Sequence, residues 1–280
     1  MRTLRKRRPF KAFLRRYGRV IIGGFFVAIV VIMAIFAPVL ATHDPYRVDM
    51  SVAKMEPCKE HWFGTDQYGR DIYSRVIYGS RITLLVAIAV QILVVAIGTI
   101  LGLLCGYYKK FDAVCSRVME GLAALPQLLL ALAVATLLGA GAFNVIFSLV
   151  VCALPSIVRA IRSLVLSLRE REFVEREKAM GASDFRTIFL HILPHCSNYL
   201  LIRCATGISS TISTQSTLAF LGVGLDPTIP SWGASIADGQ AFLFFYPYMS
   251  VIPGVIICMT VFGFTMLGEG LRDVLDPKLR

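Results

Sequence analysis

The chain has 280 residues, of which 56% are hydrophobic and 17% are charged, and its mean hydropathy is +0.68. This composition is too apolar and too poor in charge for an ordinary soluble domain, so lipid is the expected solvent. The net charge of +11 could suit a nucleic-acid-binding protein, but the basic residues cluster between long apolar runs, which favours a membrane protein instead.

Charge-free stretches long enough to cross a bilayer, which takes about 20 residues, recur along the chain. The stretch 121–158 is long enough for two helices and contains a Gly-Ala-Gly-Ala turn at 139–142. The predicted spans are residues 20–41, 83–108, 118–138, 143–162, 197–221 and 248–268. The sequence therefore predicts an all-α integral membrane protein with six transmembrane helices.

The basic residues also predict how the chain is oriented. Residues 1–19 carry nine basic and no acidic groups, whereas the segment 42–80 is mixed in charge. By the positive-inside rule, 1–19 and 271–280 are expected to be cytoplasmic tails, 42–80 an external segment, and 81–270 a core of five helices. The first apolar run is about 22 residues, longer than the roughly 7 to 15 of a signal peptide, so it is expected to remain as a membrane helix.

The most charged interior segment, 163–195, lies between the fourth and fifth predicted spans. Glu172 and Arg176 stand four residues apart, where opposite charges pair on an exposed helix. Gly181 then interrupts the pattern, and Ser183 offers a new N-cap. Two short helices joined at Gly181 are therefore predicted on the cytoplasmic side, the alternative being a solvated linker satisfied by its own ion pairs.

The fifth predicted span is unusually polar, with eight polar residues among the nine at 209–217. Such hydroxyls can bond back to carbonyl groups one turn earlier and merely bend the helix. They can equally line a wet cavity, because so many hydroxyls have little reason to face lipid. The residues predicted to line a pathway are Ser209, Ser210, Ser213, Ser216 and Thr217.

Several kinds of chemistry are missing from the sequence. It contains no Gly-x-x-x-x-Gly-Lys motif, so ATP is not bound here by a P-loop. Its one close histidine pair is His191 and His195, and Pro194 between them disrupts the regular helix that would place both imidazoles on one face. No catalytic residue, no metal site and no cofactor are predicted in this chain.

An intramembrane serine protease is the rival from another functional class, because Gly207-Ile208-Ser209 matches the short Gly-x-Ser of such enzymes. The triplet is weak evidence on its own. No histidine follows His195, which lies roughly 21 Å from Ser209 along a helix axis, far beyond the reach of a general base.

Three ordered blocks of the sequence carry a family resemblance. The first reads His-Trp-Phe-Gly-Thr-Asp-Gln-Tyr-Gly-Arg-Asp at 61–71 and continues to Arg81; the second covers 217–224 with Pro-Ser-Trp-Gly at 230–233; the third covers 268–277. With these blocks the chain resembles, over nearly its whole length, the C-type permease subunits of the dipeptide, oligopeptide and nickel ABC importers.

This resemblance implies a type I ABC importer permease that works by alternating access in a bacterial inner membrane. It implies a paralogous permease as heterodimer partner, two ATPase subunits that bind ATP and Mg, and an external solute-binding protein. The chain itself would then be no enzyme. Peptide is the first expectation for the substrate, and nickel or a nickel chelate is the alternative.

The charged segment is similar to the Glu-Ala-Ala loop with which importer permeases contact their ATPases. Arg176 and Glu177 replace the two alanines, so charges stand where small packing residues are usual. The resemblance implies an ATPase-coupling role for Glu175, Arg176, Glu177, Ala179, Met180, Gly181, Ala182, Ser183, Asp184, Leu193 and Pro194.

Overall fold

The computed structural model describes residues 9–226 and 228–275, with side chains from position 17 onward. Its helices are α1 (Pro9–Ile35), α2 (Ala37–Leu40), α3 (Ile72–Tyr107), α4 (Lys109–Ala123), α5 (Gln127–Leu138), α6 (Ala142–Arg169), α7 (Glu172–Ala179), α8 (Asp184–Arg186), α9 (Leu193–Phe220), α10 (Trp232–Gln240) and α11 (Tyr248–Leu275). A 3-10 turn forms at Met50–Val52, and a π-helical segment at Thr187–Ile192 joins α8 to α9. Within these ranges the backbone is helical or irregular, so the predicted all-α class is confirmed.

The central helix pair is α3 against α6, and glycine spacing explains how closely they pack. Gly98, Gly102 and Gly106 lie four residues apart, on one face of α3. A Cβ atom added at these positions would lie 2.1, 2.6 and 2.4 Å from side-chain atoms of Ile157, Ile161 and Val165. Such small-residue faces allow helix backbones to approach closely in a membrane, where van der Waals packing drives helix association.

Helix α1 packs on α11 through glycines contributed by both helices. A Cβ at Gly23 would lie 2.4 Å from the backbone nitrogen of Leu267, and one at Gly263 would lie 2.8 Å from the Cβ of Phe26. In the apolar part of α1 only 11% of the residues are buried, against 44% in α3 and 50% in α6. Helix α1 therefore lies at the periphery of the bundle.

Four described helices are long and apolar enough to cross a bilayer: Tyr17–Ile35 within α1, then α3, α6 and α11. The predicted span at 118–138 is not one continuous helix, because α4 and α5 meet at 91°. The cause is Pro126, which cannot donate an intrahelical hydrogen bond and disfavours helical backbone at the preceding residue. The bent pair can count as one further span, which gives up to five.

Helix α9 occupies the predicted fifth span but is too polar to be counted among these apolar helices. Other helix ends also move from their predicted positions. Helix α3 begins at residue 72 instead of 83, because the carboxylate of Asp71 caps it by accepting from the backbone nitrogen of Ser74 at 2.8 Å. The predicted turn between spans is confirmed, since α5 ends at Leu138 and Gly139 has a φ of 81°.

The two predicted tails are partly outside the described residues. The chain is already helical at Pro9, so residues 9–19 of the predicted basic tail belong to α1. Residues 1–8 lie outside the described range. The first apolar helix ends at Ile35 and a short turn of helix, α2, follows. Helix α11 extends through Leu275, beyond the predicted end at 268, and residues 276–280 are again outside the described range.

Candidate functional site

Helices α7 and α8 form a helical projection between α6 and α9, and Gly181 stands at the break between them. Gly181 has a φ of 80°, in the left-handed region that favours glycine, and a Cβ added there would meet open space. Ser183 starts the next helix, with its hydroxyl accepting from the backbone nitrogen of Arg186 at 3.4 Å. Both local predictions, the glycine break and the new N-cap, are confirmed.

The projection is fastened to the ends of the long helices. The Asp184 carboxylate accepts hydrogen bonds from the phenols of Tyr107 at 2.7 Å and Tyr108 at 3.2 Å. Arg169, the last residue of α6, donates to the carbonyl oxygen of Gly106 at 3.0 Å. Val174, on the inner face of α7, is fully buried. These contacts join the projection to the ends of α3 and α6.

The two charges that replace alanines point in different directions. Arg176 is 77% exposed and pairs with Glu172 at 3.1 Å, a surface ion pair that contributes little to stability. Glu177 is mostly buried and pairs with His191 at 3.3 Å, across to the π-helical segment. Arg176 is therefore free to contact a partner, whereas Glu177 serves the internal packing of the projection.

Exposed apolar side chains follow the bend of the projection, and sequence reasoning missed two of them. Met180 is 73% exposed, Phe185 68% and Leu190 60%. Met180 was included in the predicted coupling set because of its neighbours in the motif. Phe185 and Leu190 are not in that set. The signal for Phe185 is an aromatic residue two positions after the N-cap Ser183, in an otherwise charged segment. Of the remaining predicted residues, Leu193 and Pro194 form the first turn of α9.

The predicted pathway residues on α9 differ in exposure. Ser210 and Ser213 are exposed. Ser209 is 5% exposed and its hydroxyl accepts from that of Thr265 on α11 at 3.1 Å. Ser216 lines a small gap against Gly233 of α10. Tertiary packing therefore separates these neighbours, because α10 and α11 cover one side of α9.

Two threonine hydroxyls on α9 bond back to backbone carbonyl groups of the same helix. Thr217 donates to the carbonyl of Ser213 at 2.9 Å, and Thr214 donates to that of Ser210 at 3.0 Å. Both are the bonds one turn earlier that were considered as the alternative to a pathway. Their presence leaves the exposed hydroxyls of Ser210 and Ser213 as the polar groups open to solvent or a partner.

A small polar cleft lies between α3, α6 and α9, and its charged residue was missed. The cleft has a volume of about 40 Å³ and is lined by Gln91, Ser156, Arg203 and Ser210, among others. Gln91 donates to the Thr211 hydroxyl at 2.7 Å, and the Arg203 guanidinium donates to the Ser156 hydroxyl. Arg203 falls inside the predicted fifth span, 197–221, but was not among the residues predicted to line a pathway. An arginine within a predicted membrane span is a functional signal in its own right.

On the predicted external side, a buried ion network ties segment 42–80 to α10. The Arg70 guanidinium is 8% exposed and contacts Asp66 and Asp238, each at 2.6 Å. The indole of Trp232, fully buried, donates to the carbonyl of Val76 at 2.9 Å. The first two sequence blocks of the resemblance are thus joined in space, although more than 150 residues separate them.

Two exposed carboxylates are held ionised on the same side. A hydrogen bond from the Ser51 side chain, and a second from its backbone N–H, lower the pKa of Asp49. The side chain and backbone of Thr228 lower the pKa of Asp226 in the same way. This surface therefore keeps fixed negative charges at neutral pH.

The protease interpretation is not supported by the site. The Ser209 hydroxyl pairs with Thr265, and the His195 ring lies 5.0 Å from the ring of Phe173, at the other end of the helix. A nucleophilic serine needs a base within hydrogen-bond reach.

Four described helices that can each cross a bilayer, with a charged helical projection between α6 and α9, are the features of a polytopic membrane protein. The family model described as binding-protein-dependent transport system inner membrane component matches residues 98–280, and the model for the N-terminal TM domain of oligopeptide transport permease C matches residues 11–57. The chain belongs to this family of transport permeases.

Relatives with curated names agree with this assignment over almost the full chain. The dipeptide transport system permease protein DppC of Alkalihalophilus pseudofirmus is 37% identical, covering 98% of this chain and 90% of that protein. The glutathione transport system permease protein GsiD of Pectobacterium atrosepticum is 36% identical, with coverages of 98% and 93%. The oligopeptide transport system permease protein OppC of Bacillus subtilis is 35% identical, with coverages of 92% and 85%.

Proposed function

We propose that the chain is one of two permease subunits in an ATP-driven peptide importer, and that α7 to α8 is its ATPase-docking element. The observation that carries the proposal is the projection, whose exposed Met180 and Phe185 flank the Gly181 break while Asp184 fastens it to α3. A compact helical projection of this kind can pass rigid-body motion from closing ATPases to the membrane helices. ATP and Mg are bound by the partner ATPases in this proposal.

The transport pathway would run between this chain and a paralogous permease. In this proposal α9 also crosses the membrane, which brings the number of spans to six, and it is polar because it lines the pathway. Its exposed hydroxyls at Ser210 and Ser213, with Arg203 below them, would form part of the wall. The external segments 42–80 and 222–247 would receive the solute-binding protein, where Asp49 and Asp226 present negative charge.

Peptide is the proposed cargo because relatives at 35–37% identity are named for dipeptide, oligopeptide and glutathione transport. Glutathione is itself a small peptide, so the three names share one chemistry. Nickel import is less favoured on these names.

Reconstitution of the four-subunit transporter in proteoliposomes tests this function. With ATP inside the vesicle on the ATPase side and binding protein on the other side, we expect uptake of a radiolabelled dipeptide or tripeptide. Nickel chloride, supplied in the same assay, serves as the competing cargo. Nickel uptake without peptide uptake would overturn the proposed substrate class, and ATP-independent uptake would overturn the mechanism.

The orientation is tested by thiol labelling of intact cells with an impermeant reagent. The native Cys58 is exposed on the proposed outer side and should be modified in a chain that lacks its other cysteines. A single cysteine in place of Glu172, which is 86% exposed on the projection, should be protected until the cells are opened. Thr65, an otherwise natural outer position, is fully buried and unsuitable for labelling. Modification of the cysteine at position 172 alone would reverse the topology.

A further inference from the structure

Two histidines and an aspartate converge at the start of α3, on the proposed outer side. Their potential ligand atoms all lie within 4.8 Å of one another. The rings of His43 and His61 are 4.6 Å apart and tilted by 31°, so both imidazoles approach one carboxylate, that of Asp71. His43 follows the first membrane helix, His61 lies in the external segment and Asp71 caps α3.

The separations suit a tetrahedral transition-metal ion. Bonds of about 2.0 to 2.2 Å place neighbouring ligand atoms of a zinc ion about 3.4 Å apart. The Nδ1 atom of His61 is 2.9 Å from Oδ1 of Asp71, and Nδ1 of His43 is 4.0 Å from the same oxygen. The two distances bracket the ideal value, and the third, between the two histidine nitrogens, is within 4.8 Å, so shifts of about 1 Å would bring all three atoms into a coordination shell.

The groups around the cluster hold its members in place as metal sites require. The backbone nitrogen of Ser74 donates to the other carboxylate oxygen, Oδ2, at 2.8 Å, so Oδ1 faces the histidines, and an ion would replace its 2.9 Å hydrogen bond with Nδ1 of His61. The Ser74 hydroxyl accepts from the backbone nitrogen of His43 at 3.0 Å, which fixes the approach of that residue. Outer partners of this kind orient ligands and raise metal affinity.

Exposure differs across the cluster in a way that leaves room for a further ligand. The side chain of Asp71 is 1% exposed and that of His61 11%, whereas that of His43 is 40% exposed. The Thr42 hydroxyl lies 3.0 Å from Nδ1 of His43. A water molecule or this hydroxyl can complete four-coordination from the solvent side, as in sites with three protein ligands.

We propose that His43, His61 and Asp71 bind one zinc ion that clips the external segment to the start of α3. The clip would close a loop of 29 residues, counted from His43 to Asp71, between the first membrane helix and α3. Closing a long loop removes conformational freedom from the segment, and a metal ion that binds only the folded arrangement stabilises it. The surface proposed to receive the binding protein would then be ordered by the ion. The sequence predicted no metal site, because His43, His61 and Asp71 have no metal-binding spacing in the chain.

The test measures zinc binding by the purified full-length chain, freed of any histidine tag and carrying Cys58→Ser to remove an exposed thiol. Competition with a chromophoric chelator should give one zinc ion per chain. His43→Ala and Asp71→Asn should each weaken binding by at least about 10-fold, while asparagine keeps the helix cap. His195→Ala, a histidine at the opposite end of the molecule, is the matched control and should bind zinc like the parent.

Two further readouts separate a built site from loose surface binding. Cobalt in place of zinc should give the visible spectrum of a tetrahedral nitrogen and oxygen site, without a thiolate band, and His43→Ala should abolish it. Zinc should also slow tryptic cleavage at Arg47 and Lys59, both exposed in the clipped segment, in the parent but not in His43→Ala. Equal zinc affinity in the parent and both ligand variants would overturn the proposal. None of these measurements depends on transport, so they can fail while peptide import stands.

Discussion

The phenol of Tyr107, at the end of α3, donates a 2.7 Å hydrogen bond to the carboxylate of Asp184, at the start of α8. This bond joins a membrane helix to the proposed docking element, and the pair is separated by 77 residues in the chain. Hydrogen bonds to charged groups contribute about 1.5 to 3 kcal/mol. Loss of the bond should therefore loosen the link without unfolding the bundle.

We expect Tyr107→Phe to reduce peptide uptake several-fold, with a smaller loss of ATP hydrolysis, so that more ATP is used per peptide transported. Uptake and phosphate release in the same proteoliposomes measure this ratio. Tyr108→Phe is the control, because its bond to Asp184 is longer at 3.2 Å and its effect should be smaller. An unchanged ratio in Tyr107→Phe would show that the bond carries no motion.

Gly181→Val should weaken docking of the ATPase by straining the backbone at φ 80°. A branched residue in this region costs roughly 1 to 3 kcal/mol, and no neighbouring atom lies within 4 Å to clash. The variant should reach the membrane at a normal level but retain less ATPase on purification and transport less.

Gly139→Val provides the matched control for that experiment. Gly139 has a φ of 81° and equally open surroundings, but it lies in the turn between α5 and α6. It should suffer similar strain without loss of ATPase. Equal ATPase retention by the two variants would contradict the assignment of α7 and α8 as the docking element.

Arg70→Gln should destabilise the chain by up to about 3 kcal/mol, because it leaves Asp238 without its cation and leaves Asp66 only the more distant Arg75, at 3.9 Å. Thermal unfolding in detergent, followed by reactivity of the buried cysteines, measures the loss. Arg117→Gln removes an exposed arginine that pairs with Glu120 and should leave the transition almost unmoved. Similar shifts in both variants would show that the external network adds no stability.

Cysteine labelling along α9 tests which hydroxyls face the pathway. Single cysteines at Ser210 and Ser213 should react with a small hydrophilic reagent, at rates that change when ATP and binding protein are added. A cysteine at Ser209 should react slowly, because α11 covers that position, and one at the fully buried Leu218 should be nearly inert. Faster labelling at Ser209 than at Ser210 would place the pathway on the side of α9 that faces α11 and would contradict the proposal.

The sequence by itself determined the features that depend on neighbours in the chain. Length and hydropathy gave the apolar helices, the glycines at 139 and 181 marked two breaks, and Ser183 marked a helix start, because turns and caps are local events. The family blocks and the coupling segment were likewise readable as patterns. Pro126 was also readable as the cause of the bend between α4 and α5, because a proline without a backbone donor breaks a helix whatever the hydropathy of its neighbours.

Only the tertiary structure decided which side of each element is covered. Ser209 and Ser210 are adjacent and chemically identical, yet α11 buries one and leaves the other exposed. Arg203 gained a partner from another helix, and the three ligands at His43, His61 and Asp71 met through the folding of an external segment. These outcomes depend on contacts between residues far apart in the chain, and such contacts leave no periodic signal in the sequence.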